Sequence, residues 1–258
     1  MQDIKITFLG TGTSQGVPVI ACDCEVCSSD NVKDSRLRSS VLIEVDQKVF
    51  CVDTGPDFRQ QMLRENVQRL DAVLFTHEHK DHTAGLDDVR AFNFKQKANM
   101  PLYVNNAVEQ TLRREYQYAF AEKKYPGVPQ LEFHLMEDEQ EEVNVQGVSF
   151  EIVKLLHYKM LVFGFKIGDF AYCTDVNKIS KTEKLKLKNL KVLVIPALRK
   201  EKHISHFNLE EALALVEELK PEKTYLTHIS HLLGKHDEVS LELPENVFLA
   251  YDGLKINL

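Results

Sequence analysis

The hexapeptide HEHKDH at positions 77–82 constrains this chain more than any other stretch. It follows the apolar run DAVLF at 71–75, where a β-strand ends and a turn begins. Side chains at i and i+2 of an extended segment share one face, so His77 and His79 can hold one ion together. A turn just after His79 lets Asp81 and His82 reach a second ion beside it. The hexapeptide holds three of only ten histidines in 258 residues, which favours metal ligation over a polar loop with chance histidines.

Short apolar runs recur along the chain with turn signals between them. IKITFLG (4–10), SSVLIEVDQKVFCVDTG (39–55), DAVLFTH (71–77), PLYVNN (101–106) and VSFEIVKLLH (148–157) read as β-structure. So do LVFGFKI (161–167), DFAYCTD (169–175), LKVLVIPA (190–197), KTYLTH (223–228) and NVFLAYDGLKINL (246–258). Helical patterns cover PDFRQQMLREN (56–66), AVEQTLRREYQYAFAEKK (107–124) and NLEEALALVEELK (208–220). In the last, Asn208 is the expected N-cap, Glu211 completes a capping box, and Pro221 stops the helix. The acidic run MEDEQEEVNVQG (136–147) reads as a solvated hairpin region. Many strands with helices interspersed predict a layered α/β sandwich, with one domain over 1–258.

Charge and cysteine usage narrow the function classes. The net charge is −7, from 39 acids against 32 bases, which disfavours an extended nucleic-acid surface. No apolar run approaches the roughly 18–20 residues of a membrane span. The start, MQDIKITFLGTG, has an acid at Asp3 and lacks a basic, then apolar, leader, so a cytoplasmic protein is expected. Cys51 and Cys173 sit in apolar runs and are expected to be buried core thiols. GTGTSQG (10–16) has the wrong glycine spacing for a dinucleotide fingerprint and no Gly-Lys-Ser/Thr ending, so it reads as a tight turn.

The remaining cysteines form a second cluster, CDCEVC, at 22–27. Three cysteines in six positions are too cramped for a disulfide framework, and they suit thiolates closing on one zinc. The alternative is a redox or unliganded thiol cluster. A zinc would need a fourth ligand, and no fourth cysteine lies nearby.

H-x-H-x-D-H after a strand resembles the signature of the metallo-β-lactamase superfamily. The resemblance implies a four-layer αββα sandwich with a dinuclear site at the sheet edges. It assigns His77, His79 and His157 to one divalent ion and Asp81, His82 and His228 to the other, with Asp175 bridging both. It places Asp53 behind the ligands as an orienting carboxylate. The ions are expected to be zinc or manganese, sharing a hydroxide that attacks the substrate. Within the superfamily, the chain is similar to the cyclic phosphodiesterases of bacterial phosphonate degradation, which carry a structural zinc in a CDCxxC loop. That similarity implies Cys22, Cys24, Cys27 and His231 as the zinc set. It also implies His206 as general acid; a histidine merely flanking a helix is the other reading. Arg199, Lys200 and Lys202 either meet substrate phosphate or form a solvated basic loop.

The expected activity is metal-dependent hydrolysis of a small cyclic phosphate or nucleotide-like phosphodiester, with a homodimer left open. Three other functions compete: a tRNA 3′-end endonuclease, a thioester or lactone hydrolase, and a non-catalytic metal- or nucleotide-binding protein.

Overall fold

The structure is a computed structural model that describes residues 3–258. Two-residue alternation along the strands decides its layering. In Ile4–Gly10 (β1), Ile4, Ile6 and Phe8 enter one apolar cluster while Leu9 enters another. Ser40–Val45 (β2) and Lys48–Val52 (β3) divide the same way. Val41, Ile43, Phe50 and Val52 join the first cluster, and Leu42 and Cys51 the second. Strands apolar on both faces must be covered on both faces.

The further strands are Ala72–Leu74 (β4), Met100–Val104 (β5), Leu131–Leu135 (β6), Glu142–Val145 (β7), Val148–His157 (β8) and Met160–Ile167 (β9). They continue with Phe170–Tyr172 (β10), Lys178–Ile179 (β11), Val192–Pro196 (β12), Lys223–Thr227 (β13), Val247–Leu249 (β14) and Lys255–Asn257 (β15). The helices are Phe58–Arg64 (α1), Lys80–Thr83 (α2), Arg90–Gln96 (α3), Asn106–Glu115 (α4), Gln117–Phe120 (α5), Lys181–Lys186 (α6), Leu209–Leu219 (α7) and His236–Ser240 (α8).

One sheet runs β15-β1-β2-β3-β4-β5-β6, the other β11-β8-β9-β10-β12-β13-β14 with β7 against β8. Each is antiparallel in one half and parallel in the other; the parallel halves are β3–β6 and β10–β12–β13–β14. The core lies between the sheets, where Phe50 and Phe150 meet edge-to-face at 5.5 Å. Outside the first sheet, Phe58 of α1, Phe92 of α3 and Leu112 of α4 cover Leu42, Val73 and Leu102. Outside the second, Leu209, Ala212, Leu215, Val216 and Leu219 of α7 cover Leu155, Leu193 and Leu226. The result is the α/β sandwich with its sheets innermost.

The α7 boundaries follow the sequence reading. Asn208 and Glu211 form a reciprocal capping box, and Lys220 closes the helix in the left-handed region before Pro221. The acidic run does turn back on itself, with β7 pairing β8 from Val145↔Val148. Cys51 and Cys173 are fully buried, and burial pushes the Cys51 thiol up to about 12.

Other runs depart from expectation. SSVLIEVDQKVFCVDTG is a hairpin, not one strand, because Asp46 and Gln47 both take positive φ (49° and 62°). NVFLAYDGLKINL supplies β14 to one sheet and β15 to the other. The helix expected through Lys124 breaks at Tyr116, whose hydroxyl donates to the Thr83 carbonyl (2.9 Å), and nothing helical follows Phe120. Among the described residues, no helix is long and apolar enough to cross a membrane.

Candidate active site

Asp53, Asp175 and His228 lie just past the carboxyl ends of β3, β10 and β13. All three hold positive φ, at 66°, 53° and 53°. Such conformations cost about 1–3 kcal/mol each and persist where the surroundings over-determine them. The turns point three polar side chains from parallel strands of both sheets towards one place. HEHKDH reaches the same place from the end of β4. Its chain turns immediately after His79, the N-cap of α2, and the His82 N–H donates to the His79 carbonyl at 3.0 Å.

The donor atoms converge in overlapping groups. Asp81, His82, Asp175 and His228 form one, His77, His79 and Asp175 another, and His157, Asp175 and His206 a third, each within 4.8 Å. Asp175 belongs to all three. His228 Nε2 is 3.2 Å from Asp175 and 3.7 Å from Asp81, and His82 Nε2 is 3.4 Å from Asp175. His77 Nε2 and His79 Nδ1 are 3.1 Å apart.

These residues fit divalent cations. Neighbouring ligand atoms around one ion at about 2.0–2.2 Å stand roughly 3 to 3.5 Å apart. His82 Nε2 and both ring nitrogens of His228 are buried without a hydrogen-bond partner among the described residues. Buried nitrogens of that kind are costly unless something else satisfies them. Burial opposes charge on the Asp175 carboxylate, but His228, His82 and His77 outweigh it and hold its pKa well below the ordinary range.

Behind the ligands, Asp53 is fully buried. It accepts from the Thr76 N–H (2.9 Å) and hydroxyl (2.8 Å), and it faces His82 Nδ1 at 2.7 Å. With its own hydrogen given to Asp53, the Thr76 hydroxyl is left to accept from His77 Nδ1 at 2.9 Å. One carboxylate thereby orients His82 directly and His77 through Thr76, leaving both Nε2 atoms turned to the cluster. Gly55 is required alongside: a Cβ there would collide with the Asp81 carbonyl oxygen.

His157 closes the opposite side. Its Nδ1 donates to the Ser205 carbonyl at 2.8 Å, which leaves Nε2 for the cluster. His206 is only 8% exposed, with its ring 4.5 Å from that of His157 and 4.6 Å from that of His228. Burial, reinforced by His228, pushes its pKa down to about 2, and its Nδ1 has no partner among the described residues. The ring packs against those of His157 and His228, two residues before the N-cap of α7. Arg199 and Lys200 are engaged elsewhere: Arg199 donates to the Lys202 carbonyl (2.9 Å), and Lys200 pairs with Glu242 (2.7 Å). Lys202 is exposed.

The second cluster assembles as well. Cys22, Cys24 and Cys27 Sγ lie 3.3, 3.3 and 3.5 Å from His231 Nδ1. The edge of a tetrahedron with Zn–S about 2.3 Å and Zn–N about 2.0–2.1 Å is roughly 3.5 Å, so the set fits one zinc. The Cys27 N–H, helped by His231, pulls the Cys24 thiol down to about 6, while burial pushes Cys27 up to about 11. The loop is zipped to the segment after His228, with the Thr13 N–H donating to Ile229 (3.0 Å) and the Ile229 N–H to Thr11 (2.9 Å).

Sequence reasoning missed Thr76, His203 and Asn177. The His203 ring lies 5.2 Å from that of His206, tilted by 34°. Thr76 carried a readable signal, since a hydroxyl residue directly before the first ligand of H-x-H-x-D-H can reach back to that ligand's free nitrogen.

Fold and site together define a metal-dependent hydrolase of the metallo-β-lactamase fold. Residues 49–229 match the family described as the beta-lactamase superfamily domain, and the chain belongs to that family. It is similar to a solved structure described as a new diphosphatase from the PhnP family, at 40% identity and TM-score 0.93, covering 100% of this chain and 98% of that one. It is 35% identical to an octanoyltransferase of Porphyromonas gingivalis over 98% of this chain, and it spans 51% of that protein's length. Zinc-bound PqqB of Methylobacterium extorquens shares the fold at 17% identity and TM-score 0.80, covering 98% of this chain and all of that one.

Two substitutions probe the architecture. Asp53→Asn keeps the volume but presents N–H groups where acceptors are needed. It is expected to weaken metal retention at the histidine cluster by about 10- to 100-fold, read by metal titration. Unchanged affinity would rule out the orienting role. Cys24→Ser is expected to remove one zinc equivalent and lower the melting temperature while the histidine cluster still loads. Unchanged zinc content and melting would contradict a thiolate-held ion.

Proposed function

We propose that the chain hydrolyses a small phosphodiester, with a cyclic phosphate or nucleotide-like compound as the substrate class. His77, His79, His157 and Asp175 would hold one divalent ion, and Asp81, His82, His228 and Asp175 the other. Zinc or manganese bound there supplies positive charge and Lewis acidity against a phosphoryl oxygen. A further zinc would sit among Cys22, Cys24, Cys27 and His231.

The observation that carries the reading is His206. Its Nδ1 is buried without a partner among the described residues, and one of its ring nitrogens lies within 4.8 Å of donor atoms of Asp175 and His157. Ester cleavage that expels an alkoxide needs a proton at the departing oxygen, and a positioned imidazole contributes typically 10²- to 10⁴-fold. Burial, reinforced by His228, favours the neutral form of this ring. A bound phosphodiester brings negative charge beside it, which favours the protonated form. Similarity to the PhnP-family diphosphatase along the whole chain supports phosphorus over carbon as the centre attacked.

A second reading, hydrolysis of an acyl ester or thioester, is favoured by the relative named octanoyltransferase. That name belongs to a protein about twice the matched length, and the same site could act on a carbonyl. The net charge of −7 weighs against a large RNA substrate.

Turnover of bis-p-nitrophenyl phosphate, a nucleoside 2′,3′-cyclic phosphate, an octanoyl thioester and a lactone by zinc- and manganese-loaded protein separates these readings. Turnover of the nucleoside 2′,3′-cyclic phosphate at least about 10²-fold above the acyl substrates is expected, within the span a single proton donor supplies. Cleavage of the thioester with inert phosphodiesters would replace the first reading by the second.

A further inference from the structure

Asn177 lies two residues beyond Asp175, in the link between β10 and β11. Its polar groups face two different segments, the turn around His157 and the loop before His206. The backbone N–H donates to the Leu156 carbonyl at 2.9 Å. The side-chain oxygen accepts from the Tyr158 N–H at 2.8 Å. The side-chain nitrogen donates to the Ile204 carbonyl at 2.9 Å. The amide has one orientation that satisfies both contacts.

Those partners bracket the two histidines that close the site's open side. Leu156 and Tyr158 flank His157, while Ile204 stands two residues before His206. Neighbouring contacts make the docking continuous. The His157 ring donates to the Ser205 carbonyl (2.8 Å), and the Phe207 N–H donates to the Val176 carbonyl (2.9 Å). Tyr158 opens the two-residue turn between β8 and β9 with a positive φ of 57°. The 199–207 segment has little regular structure of its own, so these bonds fix where His206 stands.

We propose that Asn177 is a positioning residue that clamps the His157 turn to the His206 loop and thereby sets the proton donor against the leaving oxygen. The inference rests on the phosphodiesterase reading and on His206 as donor. In the step it serves, water adds its oxygen to phosphorus and the P–O bond to the alcohol breaks. The departing oxygen takes a proton from His206, and the proton released by the attacking water restores the balance. Loss of the clamp displaces the donor without removing it. A misplacement of about 1 Å costs on the order of 10²-fold in such a step.

Leaving-group dependence tests this. An alkoxide leaves poorly without a proton, whereas p-nitrophenolate leaves without help. For Asn177→Ala, kcat on the nucleoside 2′,3′-cyclic phosphate is expected to fall about 10- to 100-fold, and kcat on bis-p-nitrophenyl phosphate to fall by no more than about 3-fold. Histidine-cluster metal content should stay at the wild-type level. Asn177→Asp keeps the acceptor for Tyr158 and loses the donor to Ile204. It should show the same selective loss, and it is read if the alanine variant does not fold. His206→Ala should show the pattern more strongly, with no further selective loss on adding Asn177→Ala. Equal losses on both substrates, or full activity of Asn177→Asp, would overturn the clamp. Wild-type protein inert towards both phosphodiesters would overturn the reading beneath it.

Discussion

The buried Asp53 carboxylate is the contact on which the site is built. It sits where β3 ends, yet it sets the orientation of two histidines from the β4 end, one directly and one through Thr76. Burial raises its pKa, and His82 with the Thr76 donors works in the other direction. A carboxylate in such a place is tolerated because both of its oxygens accept hydrogen bonds. The left-handed corner at Asp53 turns the carboxylate inward, and the corners at Asp175 and His228 do the same from the other sheet. The sandwich supplies rigid strand ends, and three strained turns convert them into a converging set of donors.

Two further attachments bring loops to that set. The segment after β1 is zipped to residues just beyond His228 and gathers its three cysteines around His231. Ordering a loop of that length costs about 1–2 kcal/mol per residue in backbone entropy, which an ion held by the three thiolates and His231 would help to offset. On the opposite side, His157, Ser205, Val176 and Asn177 fasten the loop that carries His206. Both attachments end next to a residue of the cluster, so loop order and site geometry are coupled.

Much of this was legible in the sequence, for physical reasons. H-x-H-x-D-H carries its geometry in its spacing, because an extended pair followed by a helical turn can point only a few ways. The α7 capping box was readable because both of its side chains act locally. What could not be read depends on distant partners. The turn at Asp46–Gln47 has no glycine to announce it, and at the helix break the Tyr116 hydroxyl reaches the distant Thr83 carbonyl. The split of the last thirteen residues between two sheets follows from tertiary packing. Asn177 looks like any loop asparagine until the segments around Leu156, Tyr158 and Ile204 surround it. The basic residues Arg199 and Lys200 illustrate the converse, since their charge left phosphate contact and a solvated loop equally open, and their side chains meet a carbonyl and Glu242.

The central claim is that one shared carboxylate, Asp175, joins two cation positions while a third position stands apart among thiolates. Anomalous diffraction at the zinc edge, from crystals of protein purified with zinc and never exposed to chelator, tests it most directly. The account predicts a pair of peaks on either side of Asp175, one near His77, His79 and His157 and the other near Asp81, His82 and His228. It predicts a separate peak among Cys22, Cys24, Cys27 and His231. A single ion in the histidine cluster with Asp175 unliganded, or no peak at the cysteines, would contradict it.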